Sequence, residues 1–160
     1  SAIGLPRDLR PAGFVLRTGI TVWSNNHVVG ANSGFEFGPR GAAVGEKIYG
    51  FEGNSAHDCA LGLFIGGVIR GGTPTIFRNF EAFHCKVAMR VRACDRCRIT
   101  DSRWVECPTG VEHDDSQPPV GDEPQFERVL AVGSRNYDTI LDVDYQPQIV
   151  LSPYEGFTLK

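Results

Sequence analysis

Apolar residues along this chain come in short bursts at alternate positions, as in Phe35/Phe37, Leu63/Ile65 and Met89/Val91. That is the period of a strand, whose side chains point to opposite faces in turn. No stretch sustains a 3.6-residue apolar stripe for the length of a helix. Asn, Gly, Ser and Asp punctuate the bursts, as turn residues do. The bursts also recur as a unit. Residues 75–91 laid over 97–113 place Phe77 on Ile99, Ala82 on Trp104, Phe83 on Val105, Cys85 on Cys107, Ala88 on Gly110 and Met89 on Val111, at an offset of 22 without a gap.

The same template runs upstream through Phe51, Ala56, His57, Cys59, Gly62 and Leu63, and before that through Trp23, Val28, Val29, Ala31, Gly34 and Phe35. A small residue (Gly34, Gly62, Ala88, Gly110) stands eleven positions after each opening apolar one, while the openings are 28, 26 and 22 residues apart. A constant core with connections of variable length marks a stacked repeat. Two or three short strands per unit predict an all-β fold, a right-handed parallel β-helix of four to five coils. One coil cannot bury its own interior face, so coils must stack at roughly 4.8 Å. The predicted inward columns are Trp23/Phe51/Phe77/Ile99, Phe35/Leu63/Met89/Val111, the small column Gly34/Gly62/Ala88/Gly110, and Ala31/Cys59/Cys85/Cys107.

In chain order, residues 1–18 are an extended lead-in or the end of a preceding coil. The repeats span 19–143, with coils near 20–37, 48–65, 75–91, 97–113 and 126–143. An acidic, proline-rich loop occupies 112–125, and 144–160 form an exit segment. The register of the last coil is left open by the alignment. Asn25, Asn26, Asn54 and Asn79 recur near the first bend of each coil, with Asp101 after them. Asparagine tolerates left-handed φ and bonds its own backbone there, so these residues predict a structural turn ladder.

Composition narrows the function classes. Charged residues are 22% and the net charge is −3, which leaves no basic footprint for nucleic acid. No apolar run is long enough to span a bilayer. No polar cap is evident at either end of the stack, so the expectation is a segment of a longer chain or a chain that docks onto others. Five cysteines are present. Cys94 and Cys97 form a CxxC, for which a disulfide in the loop between two coils is favoured over a metal half-site, since no second CxxC or His pair follows. Cys59, Cys85 and Cys107 are either bridged along their column or buried free thiols. This cysteine count leans toward a secretory protein.

Candidate chemistry sits on an outward row seven positions after each opening residue, Gly30, Asp58, His84 and Glu106. A histidine between two acids on adjacent coils could serve as a general acid/base cluster. Equally, it matches other rows of complementary charge, Glu81 over Arg103, Arg90 over Glu112 and Arg92 over Asp114, and the structural ladder is the favoured reading. Asp58 and Glu106, two coils apart, fall near the upper end of the carboxylate separation of an inverting glycosidase. Asp114, Asp115, Asp122 and Glu123 lack the spacing of a calcium loop, and no GxSxG or HExxH occurs. No cofactor and no metal are expected.

SNNHVVGANSGFEF, FEGNSAHDCALGLFIGG and TPTIFRNFEAFHCKVAMRV resemble consecutive segments of a family of large extracellular proteins with G8 domains and parallel β-helix repeats. That family comprises fibrocystin (polyductin), fibrocystin-like proteins and, more distantly, cell-surface hyaluronidase ectodomains. The matching residues are Asn25/Asn26, Gly30 through Phe35, Asn54/Ala56/His57 with Gly62/Leu63/Ile65, and Phe77/Phe80/Ala82, over about Ile20 to Asp115. The resemblance implies a right-handed parallel β-helix in a secreted or membrane-anchored protein, associated with the cell surface or cilia. It carries no catalytic residue onto this stretch, and His57 reads as an inward or corner residue with a structural role. The expected function is a non-enzymatic structural and interaction module with protein or glycan partners. The alternative is a polysaccharide-degrading β-helix using Asp58, His84 and Glu106.

Overall fold

A computed structural model describes residues 11–16, 22–38, 50–66, 74–92, 97–113 and 124–132. The described residues hold fifteen strands and no helix. The first is β1 (Ala12–Leu16). Four coils of three strands follow: β2 (Val22–Ser24), β3 (His27–Val29) and β4 (Ser33–Phe37); β5 (Gly50–Glu52), β6 (Ser55–His57) and β7 (Leu61–Ile65); β8 (Thr75–Arg78), β9 (Glu81–Phe83) and β10 (Val87–Val91); β11 (Cys97–Thr100), β12 (Arg103–Val105) and β13 (Thr109–His113). The last two are β14 (Gln125–Glu127) and β15 (Leu130–Val132).

All pairing is parallel and between coils. Three five-stranded sheets result: A (β1-β4-β7-β10-β13), B (β2-β5-β8-β11-β14) and C (β3-β6-β9-β12-β15). The chain is a parallel β-helix, the fold that the alternation predicts. The first four coils are described over 22–37, 50–65, 75–91 and 97–113, and the fifth from Gln125 to Val132. Glu112 and His113 close β13 and Gln125 opens β14, so the acidic excursion is shorter than 112–125. Length variation between coils falls between a sheet-A strand and the next sheet-B strand, at Phe37 to Gly50, Ile65 to Thr75, Val91 to Cys97 and His113 to Gln125. Those connections, the segments 1–10 and 17–21, and residues 133–160 with the exit segment lie wholly or mostly outside the described residues.

Strand register stacks like over like. Trp23, Phe51, Phe77 and Ile99 are successive partners, and Phe126 extends the column into the fifth coil, whose register is thereby defined. Phe14, Phe35, Leu63, Met89 and Val111 form the second column. Phe35, Leu63, Phe77, Met89 and Ile99 are fully buried, each burial being worth about 1.5–3 kcal/mol. Phe51–Phe77 (5.2 Å between centroids, 60°) and Phe37–Phe77 (5.4 Å, 82°) meet edge-on, a geometry that the ring quadrupole favours, and Phe14 stacks on Phe35 (5.3 Å, 12°).

Volume is traded within a coil. In the third, Phe80 fills the interior beside Ala82; in the fourth, Ser102 takes the Phe80 position and Trp104 takes that of Ala82, and all four are buried. A cross-section of constant area is conserved by exchanging which of two positions is large.

The small column has a steric cause. A Cβ on Gly62 would lie 2.5 Å from the Ala88 carbonyl oxygen, and one on Gly34 would lie 2.6 Å from that of Gly62. The obstacle is backbone of the neighbouring coil, which cannot rotate away. Gly62→Ala should therefore destabilise the chain by about 1–3 kcal/mol, the usual cost of overpacking. A urea unfolding midpoint that stays unchanged would show that the coils can separate at no cost.

Candidate functional site

Each coil turns twice on a single residue in the left-handed region. The first corner, between sheets B and C, holds Asn25, Gly53, Asn79, Asp101 and Arg128 at φ 50 to 66°. The second, between sheets C and A, holds Gly30, Asp58, His84 and Glu106 at φ 52 to 70°. The two corners are five residues apart in every complete coil (25/30, 53/58, 79/84, 101/106). Corner N–H groups keep the stack bonded: Asp58 donates to the Phe83 carbonyl at 3.1 Å, His84 to that of Val105 at 3.1 Å and Glu106 to that of Val132 at 2.8 Å.

The asparagine ladder expected at one bend is divided between two positions. Asn25 and Asn79 occupy the left-handed corner, whereas Asn26 and Asn54 stand one residue later, on the inner side, with Asn54 fully buried. Asn54 Oδ1 accepts from the Asn26 backbone N–H at 3.1 Å and from Asn26 Nδ2 at 3.0 Å, and Asn54 Nδ2 donates to the Trp23 carbonyl at 2.8 Å. Ser102 acts likewise two coils on: it accepts from the Phe80 N–H at 3.1 Å and donates to the Thr100 carbonyl at 2.9 Å. The N–H after the corner points into the core, so a polar side chain from the next coil satisfies it. Alignment alone could not separate the two positions, because asparagine suits both.

The second corner gathers the candidate acid/base residues. His84 Nδ1 lies 3.5 Å from Asp58 Oδ1, and His84 Nε2 contacts Glu106 Oε2. The other Asp58 oxygen, Oδ2, lies 2.7 Å from His57 Nδ1. His57, expected inward or at a corner, faces outward immediately before the Asp58 corner. It is the last residue of β6, and its ring stacks on Phe83 at 4.7 Å and 25°. Phe83 in turn stacks on His84 at 4.4 Å and 20°. The result is a chain His57–Asp58–His84–Glu106 across three coils, backed by an aromatic ring. His57 was missed as a member because the template counts only rows between coils, and its bond to Asp58 runs along one coil.

Chemically the chain is self-satisfied. Both nitrogens of His84 face carboxylates, and its imidazole fills the space between Asp58 and Glu106 where a glycosidase needs its sugar and water. All four side chains are about half exposed, so ion pairing here is worth little more than on any surface. Parallel ladders exist elsewhere: Arg103 to Glu81 at 2.9 Å, Arg90 to Glu112 at 2.7 Å and Arg128 Nη2 to Asp101 Oδ2 at 2.9 Å. Arg128 hydrogen-bonds the Asp101 carboxylate and so holds it below its ordinary pKa. Asp114, expected over Arg92, lies outside the described residues, as do Asp115, Asp122 and Glu123.

Behind the same corner stand Cys59, Cys85 and Cys107, free and buried. Each donates its S–H to the carbonyl two residues earlier, at 3.4 Å to His57, 3.6 Å to Phe83 and 3.5 Å to Val105. Of the two readings of this column, free thiols are the one realised. Burial pushes the Cys59 thiol up, and for Cys85 the hydrogen bond between Cys85 and Cys107, reinforced by burial, does so strongly. Cys97 is buried at the head of β11, and Cys94 lies outside the described residues. Among the described residues no three His, Cys, Asp or Glu side chains are arranged to hold a metal ion, and no helix is long and apolar enough to cross a membrane.

Comparison with known proteins finds no matching family model, no matching curated protein and no matching solved structure.

A left-handed backbone costs an L-residue about 1–2 kcal/mol that glycine avoids. His84→Gly should therefore be at least about 0.5 kcal/mol more stable than His84→Ala in chemical denaturation. Equal stabilities would mean that the left-handed backbone at this corner carries no strain that glycine relieves.

Proposed function

We propose that this chain is a non-enzymatic structural and interaction module, a segment of a larger extracellular or ciliary-surface protein of the fibrocystin-like kind, whose β-helix faces dock protein or glycan partners. The observation that carries the non-enzymatic part is the closure of His57–Asp58–His84–Glu106 on itself. A general acid needs a proton aimed at a substrate and a general base needs a free lone pair aimed at one. In this chain both His84 nitrogens are directed at neighbouring side chains. The family assignment is supported by the sequence resemblance over about Ile20 to Asp115 and by the parallel β-helix that the resemblance implies. The polysaccharide-degrading alternative has the right residue types, but His84 stands between its two carboxylates.

The test is depolymerisation. The purified chain, incubated with hyaluronan and with a panel of neutral and acidic polysaccharides from acid to neutral pH, should leave their size distribution unchanged. Shortening that disappears in His84→Ala would replace the module by an enzyme.

An extracellular setting requires that thiols be bridged or shielded. Cys59, Cys85 and Cys107 are shielded, and a Cys94–Cys97 bridge is proposed for the other two. Alkylation in denaturant without reductant should therefore add three labels by mass, and five after reduction. Five labels before reduction would remove the bridge and weaken the extracellular reading.

A further inference from the structure

The outer face of sheet C differs from that of sheet A. Its central row, in register through five coils, is Val29, His57, Phe83, Val105 and Val132. Val29 is 69% exposed and Val132 45%, while Phe83 and Val105 are partly exposed. The comparable outward row of sheet A, Val15, Glu36, Phe64, Arg90 and Glu112, carries three charged residues. A row that is apolar in four of its five coils, with the half-exposed His57 in the second, and is left in water is a surface shaped for a partner.

The flanks say which partner. On one side of the row, coil by coil, run His27, Ser55, Glu81 and Arg103; on the other run the corner residues Gly30, Asp58, His84 and Glu106. A two-fold axis parallel to the stacking direction, passing over the central row, lays that row against itself and exchanges the flanks at equal height. Ser55 then faces Asp58 of the second chain, Glu81 faces His84, and Arg103 faces Glu106. Every charged position meets a hydrogen-bonding group or an opposite charge. A two-fold axis across the stack instead sets Glu81 against Glu81 and Asp58 against Glu106, which is repulsive. We infer that the outer face of sheet C binds a second copy of this chain, as an isologous, parallel two-fold dimer centred on Phe83.

The inference rests on the docking role proposed above and makes a second copy the partner. Facing sheets pack about 10 Å apart; Val29, Phe83, Val105 and Val132 each meet their own copy and supply the apolar centre, His57 meets His57 between Val29 and Phe83, and the charged flanks form the rim. Five rungs at about 4.8 Å, roughly 13 Å wide, cover about 300 Å² on each chain, roughly 600 Å² in total, which is below the size of a standard specific interface. Association is therefore weak and concentration-dependent. Self-complementarity of one patch is what a two-fold interface requires. Arg103 already pairs with Glu81, and His84 already contacts Glu106, within a chain, so the dimer joins existing partners into one network instead of desolvating lone charges.

The test is sedimentation velocity on the whole chain over a dilution series, with two charge reversals. Arg103→Glu sets glutamate against Glu106 of the second copy at both symmetry-related contacts, and Glu106→Arg sets arginine against Arg103. Each variant alone should stay monomeric where the unsubstituted chain dimerises, with an unchanged circular dichroism spectrum. An equimolar mixture of the two should recover the dimer, because glutamate then meets arginine across both contacts. No effect confined to one folded chain gives recovery on mixing. An unsubstituted chain that remains monomeric into the high micromolar range, or variants that dimerise as well alone as mixed, would overturn the inference. Neither result touches docking to other proteins or glycans, which the same variants can be tested for separately.

Discussion

Backbone hydrogen bonds between coils are the constraint on which everything else in this molecule depends. Every described strand pairs only with strands of neighbouring coils, so a single coil has neither a ladder nor a core of its own. Strand N–H and C=O groups must meet the next coil in register, and register forces like positions over like. The column Trp23, Phe51, Phe77, Ile99 and Phe126 follows from that. So does the small column at Gly34 and Gly62, where the next coil's carbonyl stands 2.6 and 2.5 Å from where a Cβ would be.

The corners follow from the same constraint. To keep three short strands in one coil, the chain must turn in one residue and still present its N–H to the next coil. A left-handed residue does both, at a strain that asparagine, aspartate and glycine bear most easily. At the first corner those types predominate. At the second, His84 and Glu106 stand where glycine would be less strained, and each carries a side chain outward into a charged ladder. Strain kept in place by surrounding structure often marks function. Here it aligns the flank that a second copy would meet.

The thiols and asparagines show how one corner organises the interior as well. Cys59, Cys85 and Cys107 immediately follow the second corner and donate back to the strand they have just left. Asn54 and Ser102 follow the first and receive the N–H groups that the turn aims inward. These are small polar groups in a core of aromatic rings, and each has a partner that the coil geometry supplies, which is why they can be buried at little cost.

The sequence by itself determined the parallel β-helix, the coil spacing and the identity of the core columns. Inward positions in a stacked repeat are chemically alike and recur at fixed offsets, and Trp23, Phe51, Phe77 and Ile99 could be aligned by type alone. It also brought Asp58, His84 and Glu106 into one row, since a row is only an offset. What the tertiary structure decided lies at single-residue resolution around the corners. It separated Asn25 and Asn79 on the turn from Asn26 and Asn54 inside it, turned His57 outward onto Phe83, and left the cysteine column as thiols. The physical reason is that φ changes sign for one residue at each corner, which rotates the following side chains by an amount that no alternation of apolar and polar letters encodes. The fifth coil is the same case: Phe126 and Leu130 align with Ile99 and Arg103 only because backbone pairing holds them there, across a connection whose length carries no information about register.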